Sequence, residues 1–310
     1  FTVKASAGLD GDLAAIAPAA AAHYSATATL LGLPVTPATL EIYAGSESLR
    51  ADTALTLRPD AESWVAADTI RLAYTPHLTD TDHLPAAIAQ LLLANAGVTE
   101  ADAGWLWRGL PLALAGDADL QTLATTLNSD EPTRNAATDW AAVSYLQRQL
   151  GWDGMGAFII DAGQNGIESA LAMSSSAFEQ AWRDDWITRL DEGETAVSIL
   201  LSTRAAAVQA NDMNAFMATV DGNAPTLAAE QAAWFAIAQT VDDLLLPADG
   251  QLLHLQDNGS VLAQIGGQDI QLRPENGALL WAGAPFTTLA GEQFDLLHPA
   301  DMDEAIATAL

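Results

Sequence analysis

The side chains of this chain best able to ligate a metal or move a proton are five histidines and forty carboxylates, and there is no cysteine. Without thiols there are no disulfide staples, no cysteine nucleophile, no thiolate zinc site and no Cys-ligated cluster. No two histidines stand at i,i+4. His77 and His83 lie six apart across Asp80-Thr81-Asp82 and, with those aspartates, could share a surface metal ion, although the setting reads as an ordinary loop. His23 is expected to pack or cap within an Ala/Leu-rich helix, and His254 and His298 stand apart from other ligands.

Other chemistries lack their spacing. A serine nucleophile needs an elbow such as Gly-x-Ser-x-Gly; Ser174-Ser175-Ser176 reads instead as a helix start. A phosphate cradle needs a strand-to-helix glycine loop, whereas Gly151-Trp152-Asp153-Gly154-Met155-Gly156 follows a helix. Asp161 to Gly166 has the polarity of a calcium loop, but Glu168 arrives too early to close it. Asp184/Asp185, Asp242/Asp243 and Asp301/Asp303 are carboxylate pairs; adjacent residues point apart on a helix and share a proton poorly. Lys4 and ten scattered arginines leave a net charge of -29. That balance disfavours a nucleic-acid footprint or docking to anionic lipid. It suits solubility in a salty or acidic medium.

The elements that must position these residues follow from periodicity and punctuation. Phe1 to Leu9 reads as a strand and turn, residues 13–31 as a long helix ended by Gly32, and 39–43, 64–67 and 69–74 as extended segments. Helices are expected over 82–95, 103–115, 135–150 and 176–190, with Leu120 to Leu127 a helix or loop and a turn through Gly163 and Gly166. The polar run Asp191-Glu192-Gly193-Glu194 reads as a boundary. Beyond it come helices over 197–211, 212–220 and 225–243. Short strands at 252–254, 261–265, 270–272 and 278–281 then alternate with Gly-bearing turns, the signature of hairpins. Asp301 to Leu310 reads as a partial helix or tail. No run of 18 apolar residues exists to span a bilayer. Phe1-Thr2-Val3-Lys4 reads as a trimmed edge, with a signal peptide expected to have been removed upstream.

Ala86-Ala87-Ile88-Ala89-Gln90 on one helix is followed by Trp105-Leu106-Trp107-Arg108-Gly109-Leu110 on the next. Tyr145-Leu146, Gly151-Trp152 and Trp182-Arg183-Asp184-Asp185-Trp186 come after. Together the order resembles a gluzincin-type zinc metallopeptidase domain, of the peptidase-MA-like group. Such domains carry His-Glu-x-x-His on the first helix and a glutamate ligand within a Trp-Leu-x-Glu-Gly-Leu-like stretch on the second. The resemblance implies metal-ligand positions at Ala86, Gln90 and Arg108 and a general-base position at Ala87. The 18 residues from Gln90 to Arg108 match the family's approximate spacing. Zinc hydrolysis needs about three N/O ligands and a base for the water. Alanine offers no ligand atom, Gln90 is a weak one, and Arg108 is a fixed cation that repels a metal. No metal, cofactor or catalytic residue is therefore expected. Arg108, with Trp105 and Trp107 beside it, is expected to form a salt bridge or to contact a carboxylate-bearing ligand.

Arg204 to Asp212, then Ala215-Phe216 and Val220-Asp221, resemble the opening helices of an NTF2-like (cystatin-like) domain. Trp234, Phe235 and Trp281 are expected in its core. The expected fold is α+β. Residues 1–192 would form a mostly helical gluzincin-like domain with a small N-terminal sheet. Residues 195–310 would form an NTF2-like or other α+β domain of helices packed on an antiparallel sheet. The resemblance implies a secreted bacterial protein, extracellular or in the cell envelope, that is catalytically inactive and binds or scaffolds a peptide or cell-envelope component. Two alternatives stay open: a hydrolase (glycoside hydrolase or peptidase) using an unrecognised carboxylate site, and a purely structural module of a larger envelope protein.

Overall fold

The computed structural model describes residues 2–6, 10–53, 63–66, 68–74, 83–116, 119–129, 133–223, 225–241, 246–256, 258–284, 286–289 and 296–299. The fold is α+β, with helices packed against sheets. Its contacts divide it into two units, Phe1–Ala118 with Thr125–Trp186, and Asp119–Ala124 with Ile187–Leu310. Among the described residues no helix is long and apolar enough to cross a membrane.

The first unit begins with β1 (Thr2–Ala5), α1 (Asp10–Leu30), β2 (Thr39–Tyr43), α2 (Ser46–Thr53), β3 (Ser63–Ala66) and β4 (Thr69–Ala73). The strands form one sheet in the order β1-β2-β4-β3, parallel except for β3 against β4. Alternation sorts the two faces of the sheet. Leu40 and Ile42 of β2 pair in register with Ile70 and Leu72 of β4, and all four are buried. On the other face Glu41 stands between Lys4 and Arg71, its carboxylate 3.3 Å from Lys4 Nζ and 2.8 Å from Arg71 Nε. Ile16, Ala20, Tyr24 and Ala28 form the buried stripe of α1 at helical spacing, and Leu31 just past its end is buried too. His23, next to that stripe, is exposed and neither packs nor caps, contrary to expectation.

Next come α3 (His83–Asn95), α4 (Glu100–Ala115), α5 (Leu120–Leu127), α6 (Ala136–Asn165), α7 (Ile167–Leu171) and α8 (Ser175–Gln209). Thr99 caps α4 by accepting from the Asp102 amide, and Gly116 ends it in the left-handed region at φ 71°. A reciprocal capping box between Asn135 and Thr138 starts α6. That helix breaks at Gly151, φ 70°, where a helix end was expected, and resumes at once. The expected turn at Gly163 is absent, because α6 carries this residue to Asn165. A Cβ at Gly163 would collide with the Ala96 carbonyl, and one at Gly156 with the Leu31 carbonyl. These glycines, seven residues apart on one helix face, serve close backbone packing, and neither a phosphate loop nor a calcium loop forms here. The two tryptophans of Trp182-Arg183-Asp184-Asp185-Trp186 are both buried, with Trp186 donating from Nε1 to the Ala141 carbonyl at 2.9 Å.

Through residues 191–194, read as a boundary, α8 runs without a break, and the division between the two units falls within this same helix, between Trp186 and Ile187. In the second unit α9 (Met213–Met217) and α10 (Pro225–Ala238) precede an antiparallel meander of β5 (Gly250–Leu255), β6 (Val261–Ile265), β7 (Gln268–Glu275) and β8 (Ala278–Gly283). A hairpin of β9 (Phe286–Leu289) and β10 (Leu296–Pro299), which the periodicity did not indicate, follows. Asn276 and Gly277 both take positive φ, 52° and 83°, as a tight hairpin turn demands. The helix expected over 212–220 stops at Met217. Thr219 to Asp221 is instead extended and hydrogen-bonded to Trp281 of β8 from both sides. Ala207, Val208, Phe216, Phe235 and Ala238 make a core beneath α8, α9 and α10.

Candidate functional site

In the first unit Ala86, Ala87 and Gln90 lie on α3 and Arg108 on α4, and the two helices pack on each other. Ala87 is fully buried and Ala86 half-buried. Gln90 makes a long contact, 3.5 Å, from Nε2 to the Trp107 carbonyl on α4. Trp105 is a core residue, its ring 4.9 Å from that of Phe178. Trp107 is half-buried and Arg108 exposed, so of the three expected ligand contacts these two reach the surface. Ala86, Ala87 and Gln90 thus stand on one helix and Arg108 on the helix packed against it.

What occupies the region is a charge network. Arg108 Nε donates to Asp139 Oδ2 at 2.7 Å, and its Nη1 donates to Glu100 Oε1 at 3.3 Å. Arg134 Nη1 stands 3.8 Å from the other Asp139 oxygen, and Arg134 Nη2 donates to Glu179 Oε2 at 3.4 Å. Arg183 closes the row by donating to Glu179 at 3.0 Å. Asp139 is the buried member, 1% exposed on α6. It comes so close to α4 because Gly109, next to Arg108, rests on the Asp139 backbone carbonyl, where a Cβ would collide. Burial holds the Asp139 carboxyl above its usual value while Arg108 and Arg134 pull the other way. Burial also opposes ionisation of Glu179, but Arg183 and Arg134 outweigh it and hold that carboxyl low.

Reading the sequence missed Asp139. A signal was present: it is a lone carboxylate in the first turn of α6, amid Ala137, Trp140, Ala141, Ala142 and Val143. His77, Asp80 and Asp82 lie outside the described residues, as do Asp242 and Asp243, residues 54–57 and the tail 301–310. Among the described residues no three His, Asp or Glu side chains converge as metal ligands.

The second unit holds a site that periodicity could have exposed. Val197, Leu200, Leu201 and Val208 are the buried stripe of α8, and Arg204 falls on it, 8% exposed. Its Nη1 donates to Thr219 Oγ1 at 2.9 Å and its Nη2 to Gln231 Oε1 at 2.5 Å. The guanidinium carbon lies 4.2 Å from the Phe216 ring centroid and 4.4 Å from that of Trp281. Burial pushes the Arg204 pKa down to about 10. A cavity of about 330 Å³ opens beside it, lined also by Gln231, Trp234, Leu246 and Ile265. Phe235 is in the core as expected, whereas Trp234 is 37% exposed at the cavity and stacks on Phe216 at 5.5 Å. No known protein family, curated protein or solved structure matches the chain.

Proposed function

We propose that the first unit is a peptidase-like module without a hydrolytic centre, acting by binding or scaffolding, with a peptide or cell-envelope component as partner. The observation that carries this reading is the state of Arg108. It stands where the resembled family has its third zinc ligand, and it is neutralised by Asp139 and Glu100. A guanidinium has only N–H donors and no lone pair to offer, so it cannot stand in for a metal ligand at that place. The order of elements supports the reading: a small sheet, then α3 and α4 packed together, then α6 and the aromatic end of the unit. In this reading the protein is secreted and works outside the cell or in the envelope. The second unit, with its helices ahead of an antiparallel meander and its isolated bridge from Val220 to Trp281 of β8, is taken as NTF2-like.

A hydrolase reading would have to recruit Asp139, the buried carboxyl with a raised pKa. Glycosidases set two carboxylates about 5 to 9.5 Å apart across a cleft, whereas Asp139 is engaged by two arginines. The test is zinc stoichiometry by mass spectrometry, alongside turnover of casein, cell-wall glycan and esters with and without added zinc. No turnover of any of them, and no one-to-one zinc, is expected. Tight one-to-one zinc with peptide hydrolysis would overturn the reading. Glycan or ester turnover lost in Asp139→Asn would transfer it to the hydrolase.

A further inference from the structure

Arginine is costly to bury unless its charge is met. In this chain carboxylates outnumber basic residues by forty to eleven. Arg71, Arg108, Arg134, Arg148, Arg183 and Arg273 each stand in an ion pair with one or more of them. Arg204 is different. Among the described residues it is the one buried arginine, and no carboxylate reaches its guanidinium. Its fixed partners are neutral: a threonine hydroxyl, a glutamine carbonyl and the faces of two aromatic rings. Ring faces attract a cation but offset only part of its desolvation. Two hydrogen bonds also leave most of the five guanidinium donors unused. The Gln231 carbonyl accepts from Arg204, which turns its amide NH2 away as a further donor.

The cavity next to this group is of small-ligand size, about 330 Å³. Its walls are mostly apolar, and two of them are the tryptophans Trp234 and Trp281. Indole faces favour a flat ring lying against them. One cation in an apolar, partly desolvated cavity suits a singly charged group and disfavours a phosphate dianion. A carboxylate matches the planar fork of guanidinium donors.

We propose that this cavity is a binding site for a small organic acid with a flat aromatic body, its carboxylate paired to Arg204 and its ring lying against an indole of the cavity wall. The site lies wholly within the second unit and stands independently of how the first unit is read. The ligand supplies the negative charge that the fold withholds from Arg204. The overall charge of -29 works against anions in general, so the selection must be local.

The test uses the full chain titrated with naphthalene-2-carboxylate and with indole-3-acetate, followed by calorimetry and tryptophan fluorescence. The primary amides of both serve as uncharged controls. Saturable one-to-one binding of at least one acid is expected, with its amide weaker by about tenfold or more, the worth of one charge-assisted pair. Arg204→Met, which replaces the buried charge by an apolar chain of similar length, is expected to lose the acid and to bind acid and amide alike. The proposal is overturned if neither acid saturates below about 10 mM, or if acid and amide bind wild-type protein equally. It is also overturned if Arg204→Met keeps wild-type affinity for the acid. Should that variant fail to fold, the acid-to-amide ratio on the wild type decides alone. A variant that folds, melts higher than wild type and accompanies a wild type without acid binding would make Arg204 a purely structural charge.

Discussion

Asp139 and Glu41 are carboxylates in ion pairs with arginine, yet their environments set them apart. Asp139 is buried, and burial raises its pKa despite Arg108 and Arg134. Arg71 first, then Lys4, pull Glu41 below its usual 4.5 on the open face of the N-terminal sheet. The signs of their linkage to stability therefore oppose. Ionised Asp139 costs stability above its raised pKa, and that cost is removed as pH falls through it toward the ordinary 3.8. The Glu41 contribution is present in full above 4.5 and is lost as pH falls through its depressed value. Urea unfolding of wild type against Asp139→Asn, from neutral pH downward, should show wild type gaining on the variant. Wild type against Glu41→Gln should show the reverse, its advantage shrinking once pH drops below 4.5. Parallel profiles would mean that the two arginines dominate over burial at Asp139. The contrast also separates what a sequence discloses at this scale from what it does not. The cross-strand row of Lys4, Glu41 and Arg71 follows from strand alternation. The charge network at Asp139 joins side chains of three helices, and Arg134 ahead of α6, that lie far apart in sequence, and no local pattern states that Arg108 and Asp139 meet.

Glycine is where element and sequence diverged most. Gly163 and Gly193, which read as turn and linker signals, and Gly156, weighed as part of a phosphate loop, are helix-packing positions. Gly163 lies under the Ala96 carbonyl, Gly156 under the Leu31 carbonyl, and Gly193 against the Leu252 side chain of β5. Glycine in a helix interior costs about 1 kcal/mol relative to alanine, so a sequence reading takes it as a stop. Here close approach of a second element is what requires it. The same residue type did end helices where its φ is positive and open space surrounds it, as at Gly116. The local signal is identical, and the neighbour that decides between the two lies in another segment. This gives a sharp contrast for Gly163→Ala. Intrinsic propensity alone would stabilise α6 by up to about 1 kcal/mol. The collision is with backbone, which yields less readily than a side-chain tip, so a net loss of about 1–3 kcal/mol is expected from overpacking. Thermal or urea unfolding of the purified variant checks the sign, and a variant as stable as wild type would mean that α6 can slide away from Ala96. The strands were legible for a related reason. β2 and β4 alternate strictly and the β6 to β8 turns carry Gly, so pattern and punctuation agree there.

At the scale of the molecule, composition is legible before any fold is known, and its consequence is electrostatic. Forty carboxylates against eleven basic residues give a net charge of -29 and a sequence pI of about 4.1. Ion pairs such as those of Arg108 and Glu41 absorb a few of these charges and leave the excess to repel itself. Self-repulsion destabilises a compact state. Salt acts on the two contributions in opposite directions. It weakens exposed attractive pairs, which are worth about 0–1 kcal/mol each, and it screens the repulsion, which grows with the net charge. With so large an imbalance the second effect is expected to win. Raising NaCl from about 10 mM to about 0.15 M shortens the screening length from about 30 Å to about 8 Å, and the melting temperature at neutral pH should rise. The same titration near pH 4, where the net charge approaches zero, should leave the melting temperature nearly flat or slightly lower. The second arm separates charge screening from a general salting-out of apolar surface, which would raise the melting temperature at both pH values. A rise of equal size in both arms would assign the effect to apolar burial, and a fall at neutral pH would mean that the ion-pair networks outweigh the excess charge.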